Sequence, residues 1–431
     1  MNTSIVWFKT DLRLHDNETL IKAIEQSDEI IPVFCFDDNH FKLTRYGFQK
    51  TGNFRAQFLL ESLKDLDDNL RKLGSGLLII RGKPEYELVK LAQKYQATKV
   101  FAKKEVAYEE KQTEERIEKE LWKLKCELKT FSTSTLYHPQ DLPFSIKDIP
   151  DVFTNFRKRT EKESQIRDIF PAPKTIKSPA IPELTLPRLE QLGLTQIKVD
   201  QRSAFPFKGG ETEAYKRLNY YFTESKLISN YKETRNRLIG ADYSSKFSPW
   251  LANGCLSPRE IYYELKKYEE EFGANESTYW LIFELLWRDY FRFMMKKHRH
   301  QFFLQTGIKP TDSPTNHNNQ GLLNQWINGN TGVDFIDANM IELKLTGFMS
   351  NRGRQNVASY LCNDLKIDWR YGAAYFEQQL IDYDVCSNWG NWAYLAGVGN
   401  DPRGNRYFNI AKQAEDYDSK KQYRNLWTQT I

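Results

Sequence analysis

The chain has 431 residues and a formal net charge of only +5, so its length predicts two domains and its charge excludes a polybasic protein that wraps nucleic acid. Five cysteines stand singly, without CxxC or His/Cys zinc spacing, which argues against a disulfide framework and against a metal site. No segment has the composition of a targeting peptide or a membrane span, and we therefore expect a soluble, cytoplasmic protein.

The first part of the chain alternates apolar runs with amphipathic charged segments. This pattern predicts a parallel β-sheet covered by helices in an α/β domain over residues 1–132. No GxGxxG follows a strand, so we do not expect a nicotinamide dinucleotide there. The predicted strands are 4–8, 29–36, 76–80, 99–102 and 127–132.

Residues 133–204 are rich in proline and mixed charges, which predicts a long connector over the surface. From 205 to 431 the pattern is helical and aromatic, and indicates a second, all-α domain. The aromatic residues, 10 Trp, 23 Tyr and 27 Phe, favour a core or stacking surface suited to a planar ligand.

The helix predicted over 279–300 is apolar almost all round, yet Glu284, Arg288 and Arg292 follow each other at intervals of four residues. Buried charges on one stripe need partners. Two interpretations stay open: an internal Glu284–Arg288 ion pair, or the wall of a cleft with Trp287 on its rim.

Three positions crowd the start of a helix near TGFMSNRGRQ (346–355): Asn351, Arg352 and Arg354. Positive side chains oppose the helix dipole there. The mismatch predicts a neighbouring anion, either a phosphate or one of Asp382 and Asp384.

The segment YSSKFSPWLANGCLSPRE (243–260) places Ser244, Ser245, Lys246 and Ser248 before an apolar run. Small hydroxyls and backbone amides at a helix start can hold a phosphate, and ordinary helix capping explains the same residues. The sequence alone leaves both readings open.

The loop DYDVCSNWGNW (382–392) offers acids, amides, a thiol and two indoles. Hydrolytic chemistry at Cys386 or Ser387 would need a general base, and no histidine lies nearby in the sequence. Metal binding by Asp382 and Asp384 lacks an obvious third ligand. The remaining interpretation is the wall of a pocket for a large planar heterocycle.

These motifs resemble the photolyase/cryptochrome family from end to end. VWFKTDLRLHDNETL (6–20) is similar to the family's opening, and the segments above, together with YKETRN (231–236) and LKIDWR (365–370), resemble its cryptochrome DASH branch. The resemblance implies a Rossmann-like α/β domain, a long connector and a helical domain that holds FAD.

By the same resemblance, FAD contacts are expected from several segments of the helical domain. Asp382 and Asp384 would address the flavin ring, with Arg354 as partner of Asp382, and Asn388 would face flavin N5. An amide there cannot titrate, which favours the reduced anionic flavin that donates electrons in DNA repair. The expected FAD-binding residues are Tyr231, Ser244, Ser245, Lys246, Phe247, Ser248, Trp287, Arg288, Asn351, Arg354, Asp382, Tyr383, Asp384 and Asn388.

The resemblance also implies light-driven repair of cyclobutane pyrimidine dimers flipped into the pocket. Tyr394 and Gln355 stand where enzymes acting on duplex DNA usually have Trp and Met, so we expect activity on single-stranded or looped DNA, by a monomer. The residues expected at the lesion are Trp287, Tyr394, Gln355 and Glu284, with Arg235 and Arg352 on the flanking phosphates. The main alternative is a blue-light photoreceptor that binds DNA without repairing it.

In the family a chain of three tryptophans carries electrons to the flavin. Trp392 and Trp369 match its inner and middle members, but Asn316 stands where the outer one is expected, so we expect slow photoreduction or another exit. The branch also often carries a methenyltetrahydrofolate antenna, and Glu105 matches a residue that contacts it.

Overall fold

The computed structural model of the protein describes residues 2–309, 319–402 and 406–429. Within these ranges five parallel strands form one sheet in the order β3-β2-β1-β4-β5. The predicted parallel sheet is confirmed. Its strands are β1 Thr3–Phe8, β2 Glu29–Phe36, β3 Leu78–Arg81, β4 Lys99–Lys103 and β5 Glu127–Phe131.

The two faces of the sheet pack against different partners. Ile5 and Trp7 of β1 face a small core with the helices on the outer side, whereas Val6 and Phe8 face a large core that continues into the helical part of the chain. Side chains alternate across a strand, so the sheet is buried on both faces and its strands are nearly all apolar. The helices of this domain are α1 Glu18–Glu25, α2 Asn53–Lys72, α3 Pro84–Lys94 and α4 Tyr108–Lys123.

The connector is less exposed than its sequence predicts. It contains the helix α5, Phe153–Glu163, which the sequence analysis missed, and Phe153 and Phe156 of this helix are buried. Ile176, Leu189 and Leu192 are buried further along. The connector therefore belongs to the core as well as to the surface.

The rest of the described chain is helical, which confirms the predicted all-α second domain. No helix among the described residues is long and apolar enough to cross a membrane. The helices are α6 Glu211–Asn219, α7 Tyr231–Thr234, α8 Ser248–Asn253, α9 Pro258–Phe272, α10 Glu276–His298, α11 Gln320–Asn328, α12 Asp334–Thr346, α13 Asn351–Ser359, α14 Trp369–Gln379, α15 Val385–Leu395, α16 Ile410–Asp418 and α17 Gln422–Thr428.

The opening motif joins the two domains. Asp16 is fully buried and forms an ion pair with Arg259 of α9. Arg13 donates to the carbonyl oxygens of Gly254 (2.9 Å) and Thr133 (3.1 Å). Buried charges are tolerated because each one finds a partner across the interface. The motif thus fixes how the helical domain sits on the sheet.

Candidate cofactor and substrate site

Two adjoining cavities of about 460 and 200 Å³ open in the helical domain. Both are lined by Tyr231, Arg235, Phe247, Glu284 and Asn351, so they form one continuous space. The smaller cavity continues to the segment 243–248 and the larger one to Trp287 and Tyr394. Most of the residues expected at FAD or at the lesion therefore line this space.

The floor of the smaller cavity is the loop before α8, which Arg217 of α6 holds in place. Its guanidinium donates to the carbonyl oxygens of Ala241 (3.0 Å), Ser244 (3.1 Å) and Ser245 (3.0 Å), and pairs with Asp242 (3.2 Å). Carbonyls that face the guanidinium leave the amides and hydroxyls of the loop free to face the cavity. Sequence analysis missed Arg217.

Lys246 is the basic group of this loop. It is buried, has a positive φ of 61°, and its ammonium lies 3.2 Å from the centre of the Tyr243 ring. Burial lowers the pKa of Lys246 far below its usual value. No hydrogen-bond partner for its Nζ occurs among the described residues. A buried amine without a hydrogen bond at a cavity wall suits an anionic ligand such as a diphosphate, whose charge would favour the protonated form of Lys246.

The predicted anion at the start of α13 is Asp382. Its carboxylate accepts a hydrogen bond from Arg354 at 2.8 Å, and the aspartate side chain is almost fully buried. The other carboxylate oxygen of Asp382 has no hydrogen-bond partner within the described chain. An orphaned acceptor beside a cavity fits a donor such as a flavin ring N–H.

The loop of acids and indoles becomes the helix α15, and Asp384 caps it by accepting from the Ser387 N–H at 2.8 Å. Burial alone would raise the pKa of Asp384, but the guanidiniums of Arg288 and Arg292 outweigh it and hold this pKa below its ordinary value. Gly390 allows α15 to approach Phe291 of α10 more closely than a Cβ would permit. Asn388 is buried, and its amide donates to the Ala373 carbonyl at 3.0 Å.

The stripe on α10 does not form the internal pair that was one sequence interpretation. Glu284 pairs with Arg235 at 2.7 Å. Arg288 instead donates to the carbonyl oxygens of Ser134 and Leu251. Because Arg235 lies on the α7 side of the cavity, the Glu284–Arg235 pair closes one wall of the site, in line with the cleft interpretation.

Aromatic rings line the mouth of the larger cavity. Trp287 is stacked on Phe153 of the connector helix, with ring centres 3.7 Å apart, and meets Tyr394 edge to face at 5.9 Å. Arg406 donates to the Tyr394 hydroxyl at 2.6 Å. Gln355 accepts from Arg352 at 2.9 Å. This wall therefore offers an indole, a phenol and an amide to a ligand.

A third cavity, of about 210 Å³, lies between the domains at the carboxyl ends of β1 and β4. Chain order reverses between these strands, which is where sheets of this kind bind ligands. Glu105 lines it, but its carboxylate already pairs with Lys103 (2.9 Å) and Arg292 (3.2 Å). Tyr383 and Asp384, which were also expected at FAD, line this cavity and not the other two, and their contact with FAD stays a prediction.

Trp392 and Trp369, expected in the electron path, are both buried. Trp392 packs over Gly372 of α14, where a Cβ would collide with its ring. Asn316, expected to replace the outer tryptophan, lies outside the described residues. No cluster of three potential metal ligands occurs in the part of the chain that the structure describes.

Known proteins resemble both halves of this arrangement. The family model of DNA photolyase matches residues 4–176, and that of the FAD binding domain of DNA photolyase matches residues 280–431. The chain is 51% identical to Cryptochrome DASH of Danio rerio over 430 residues, which cover 99% of this chain and 82% of the relative. The chain belongs to the cryptochrome DASH branch of the photolyase/cryptochrome family.

Solved structures agree with the assignment to the photolyase/cryptochrome family. The Synechocystis cryptochrome matches with a TM-score of 0.96 and 50% identity, covering 99% of this chain and 88% of its own. A Sulfolobus tokodaii photolyase, described with two FAD molecules and an implied novel light-harvesting cofactor, matches with a TM-score of 0.80 and 27% identity. The match covers 99% of this chain and 90% of the photolyase.

The predicted cofactor, FAD, is confirmed by the match to the FAD-binding domain. The residues present fit it: Lys246 and the loop held by Arg217 suit the diphosphate, and the free oxygen of Asp382 suits a ring N–H. When bound, FAD supplies light absorption and one-electron chemistry. The individual roles assigned to these residues stay predictions.

Proposed function

We propose that this cryptochrome DASH relative uses FAD and blue light to split cyclobutane pyrimidine dimers in single-stranded or looped DNA. The observation that carries the proposal is the aromatic mouth of Trp287 and Tyr394, which opens into the same space as the FAD-binding cradle. Two linked pyrimidines could stack on the exposed parts of such rings, in the same space that would hold the flavin.

The polar lining supports single-stranded DNA as the substrate. Flipping a dimer out of a duplex costs a few kcal/mol, which the pocket must recover by stacking and hydrogen bonding. Tyr394 has a smaller ring than Trp and is tied to Arg406, and Gln355 is engaged by Arg352. A pocket with weaker stacking recovers less, so the duplex is the poorer substrate.

The positive rim supports DNA as the partner. Arg352 lies over the Tyr417 ring at 4.6 Å, and Arg235, paired with Glu284, lines both cavities. Guanidiniums beside a stacking pocket suit the phosphates on either side of a dimer. A photoreceptor that does not repair DNA would not need the pocket lining.

The experiment uses chemically reduced protein, blue light and oligonucleotides with one thymine dimer, single-stranded or duplex. We expect dimer loss in the single strand and little in the duplex. Tyr394→Trp with Gln355→Met should increase duplex repair, and Lys216→Met, at an exposed position of α6, is the matched control. Repair of neither substrate by FAD-containing protein would refute the proposal and favour the photoreceptor.

We also propose that the interdomain cavity holds a folate-type antenna. Its position at the reversal of strand order and its aromatic wall at Trp7 and Phe34 support a planar ligand there. Energy transfer from added methenyltetrahydrofolate to the flavin would support the antenna proposal, and no binding of this folate to the FAD-containing protein would refute it.

We further propose that the protein acts as a monomer in the cytoplasm.

A further inference from the structure

A chain of aromatic rings leads from Trp369 to Trp389. The resemblance to the family assigned Trp392 and Trp369 to the electron path, but not Trp389. The ring centre of Trp389 lies 5.7 Å from that of Trp369, in an edge-to-face contact. Trp389 also lies 6.4 Å from Tyr46, which in turn is 5.2 Å from Tyr371. Ring centres at 4.5–7 Å mark aromatic pairs in contact.

This chain runs from the interior towards solvent. Trp369 and Trp389 are buried, whereas Tyr46 and Tyr371 are partly exposed. Two guanidiniums, of Arg45 and Arg370, lie 5.0 and 6.0 Å from the Tyr46 ring. Positive charge so close opposes removal of an electron from Tyr46. An electron vacancy passed outward from Trp369 would therefore rest on Trp389.

Trp389 differs from its neighbours in the partner of its indole proton. The Nε1–H of Trp369 donates to the Gln305 carbonyl (3.0 Å), and that of Trp326 to the Val357 carbonyl (3.1 Å). Backbone carbonyls are poor proton acceptors. The Nε1–H of Trp389 instead donates to the Tyr383 hydroxyl at 3.3 Å.

The Tyr383 hydroxyl leads on to a carboxylate. Tyr383 and the buried side chain of Glu377 line the same cavity, where Glu377 has Lys50, Arg55 and Glu109 as its charged neighbours. Burial raises the pKa of Glu377, which makes it a better proton acceptor than an exposed carboxylate. Arg55 lies over the Tyr383 ring at 4.5 Å and holds it in place.

We propose that Trp389 is an electron relay whose indole proton passes through Tyr383 to Glu377. One electron moves from Trp389 to oxidised Trp369. The Nε1 proton moves to the Tyr383 oxygen while the Tyr383 hydroxyl proton moves to Glu377. Trp389 is left as a neutral radical. A thiolate from solution, acting at the partly exposed Tyr46 end of the chain, then gives Trp389 one electron and becomes a thiyl radical, while Glu377 returns the proton through Tyr383.

Loss of the proton makes the relay directional. A neutral indole radical is a weaker oxidant than its cation, so the electron does not return from Trp369 once Glu377 is protonated. The proposal rests on light-driven electron transfer to the flavin, which belongs to the proposed function. It supplies an exit that does not depend on position 316.

The test illuminates protein that contains oxidised FAD, in the presence of a thiol reductant, and follows the flavin absorbance and the transient absorbance of tryptophan radicals. Trp389→Phe should slow flavin reduction at least about tenfold, since it removes a donor placed in contact with Trp369. Trp326→Phe is the matched control, because it removes an equally buried indole beside Trp392 that has no such proton acceptor.

Glu377→Gln should leave electron transfer in place but prolong the tryptophan cation about 100-fold, the low end of the effect of a positioned base. Tyr383→Phe keeps the aromatic ring beneath Arg55 but removes the hydroxyl, and it should prolong the tryptophan cation in the same way as Glu377→Gln. This variant tests the proton path if Trp389→Phe folds poorly.

Equal photoreduction in Trp389→Phe and the unmodified protein would overturn the relay, as would equal slowing in Trp326→Phe. Proton loss at the unmodified rate in both Glu377→Gln and Tyr383→Phe would overturn the proton path. Dimer repair by chemically reduced unmodified protein is measured separately. If the variants behave as expected but the unmodified protein does not repair dimers, the relay proposal stands and only the repair proposal is refuted.

Discussion

Replacing Arg217 with Met should weaken FAD binding by disordering the loop before α8. Arg217 is buried and donates to the carbonyls of Ala241, Ser244 and Ser245 at 3.0–3.1 Å. It also pairs with Asp242 at 3.2 Å. Methionine keeps most of the apolar stem, so the change removes mainly the charge and its hydrogen bonds.

The size of the effect follows from these bonds. A hydrogen bond to a charged group contributes about 1.5–3 kcal/mol. Water can reach several of the freed carbonyls, since the contacts of Arg217 with Ala241 and Ser244 are only partly buried, and neighbouring bonds are not additive. We therefore expect a loss of about 3 kcal/mol in total. If that loss falls on ordering the loop, FAD affinity decreases about 100-fold.

The assay titrates apoprotein with FAD and follows the quenching of flavin fluorescence, alongside the free energy of unfolding of the apoprotein. Lys216→Met is the control, since Lys216 is the residue before Arg217 on α6, is exposed, and within the described residues forms an ion pair only with Glu213. Unchanged FAD affinity in Arg217→Met would refute the reasoning. A loss of unfolding free energy without a loss of affinity would show that Arg217 stabilises the fold and not the cradle.

Further predictions concern three buried carboxyls. Asp382→Asn should strip Arg354 of its ion pair and lower the FAD content of purified protein, and full occupancy would contradict this. Asp16→Asn should cost about 3 kcal/mol of unfolding free energy in urea, because Arg259 would stay buried without its partner; a loss under about 0.5 kcal/mol would contradict it. Burial raises the pKa of Glu342 from 4.5 to about 7. The folded state then binds the extra proton, so this group's contribution is full below pH 4.5 and is lost as pH rises to 7. Stability of the unmodified protein relative to Glu342→Gln should fall by about 3 kcal/mol over that range, and parallel pH curves would exclude the effect.

The fold was largely predictable because periodicity reports burial. The strands of the sheet are apolar on both faces, and the middle of the long helix α10 is largely apolar, so each stands out in the sequence. The connector helix α5 did not. Its sequence FTNFRKRTEKE is strongly charged and follows a proline-rich segment, and only Phe153 and Phe156 anchor it. Two anchoring rings make too weak a pattern for local prediction.

The site was predictable where a local rule was visibly broken. Basic residues at the start of α13 contradict the helix dipole, and that mismatch predicted a neighbouring anion, either a phosphate or one of Asp382 and Asp384. The resemblance to the family narrowed the choice to a pairing of Arg354 with Asp382, which the structure contains. Arg217 gave no such signal, because it follows Lys216 on an amphipathic helix and looks like a solvated charge. Of the two interpretations of the α10 stripe, the internal Glu284–Arg288 ion pair was wrong. Glu284 pairs with Arg235, which is distant in the sequence and comes close to it only in the folded chain.

The polar stripe of α10 explains why the cofactor site and the domain interface form together. Its three charges pair outward with three different parts of the chain: Glu284 with Arg235 at the cavity rim, Arg288 with the connector carbonyl of Ser134, and Arg292 with Glu105 beyond β4. None of these charges could stay buried if its partner moved away. Displacing the α/β domain would therefore leave Arg292 unpaired on the helix that also carries Trp287. The interdomain cavity, lined by Arg292, and the larger cavity of the helical domain, lined by Trp287, are thus connected through one helix.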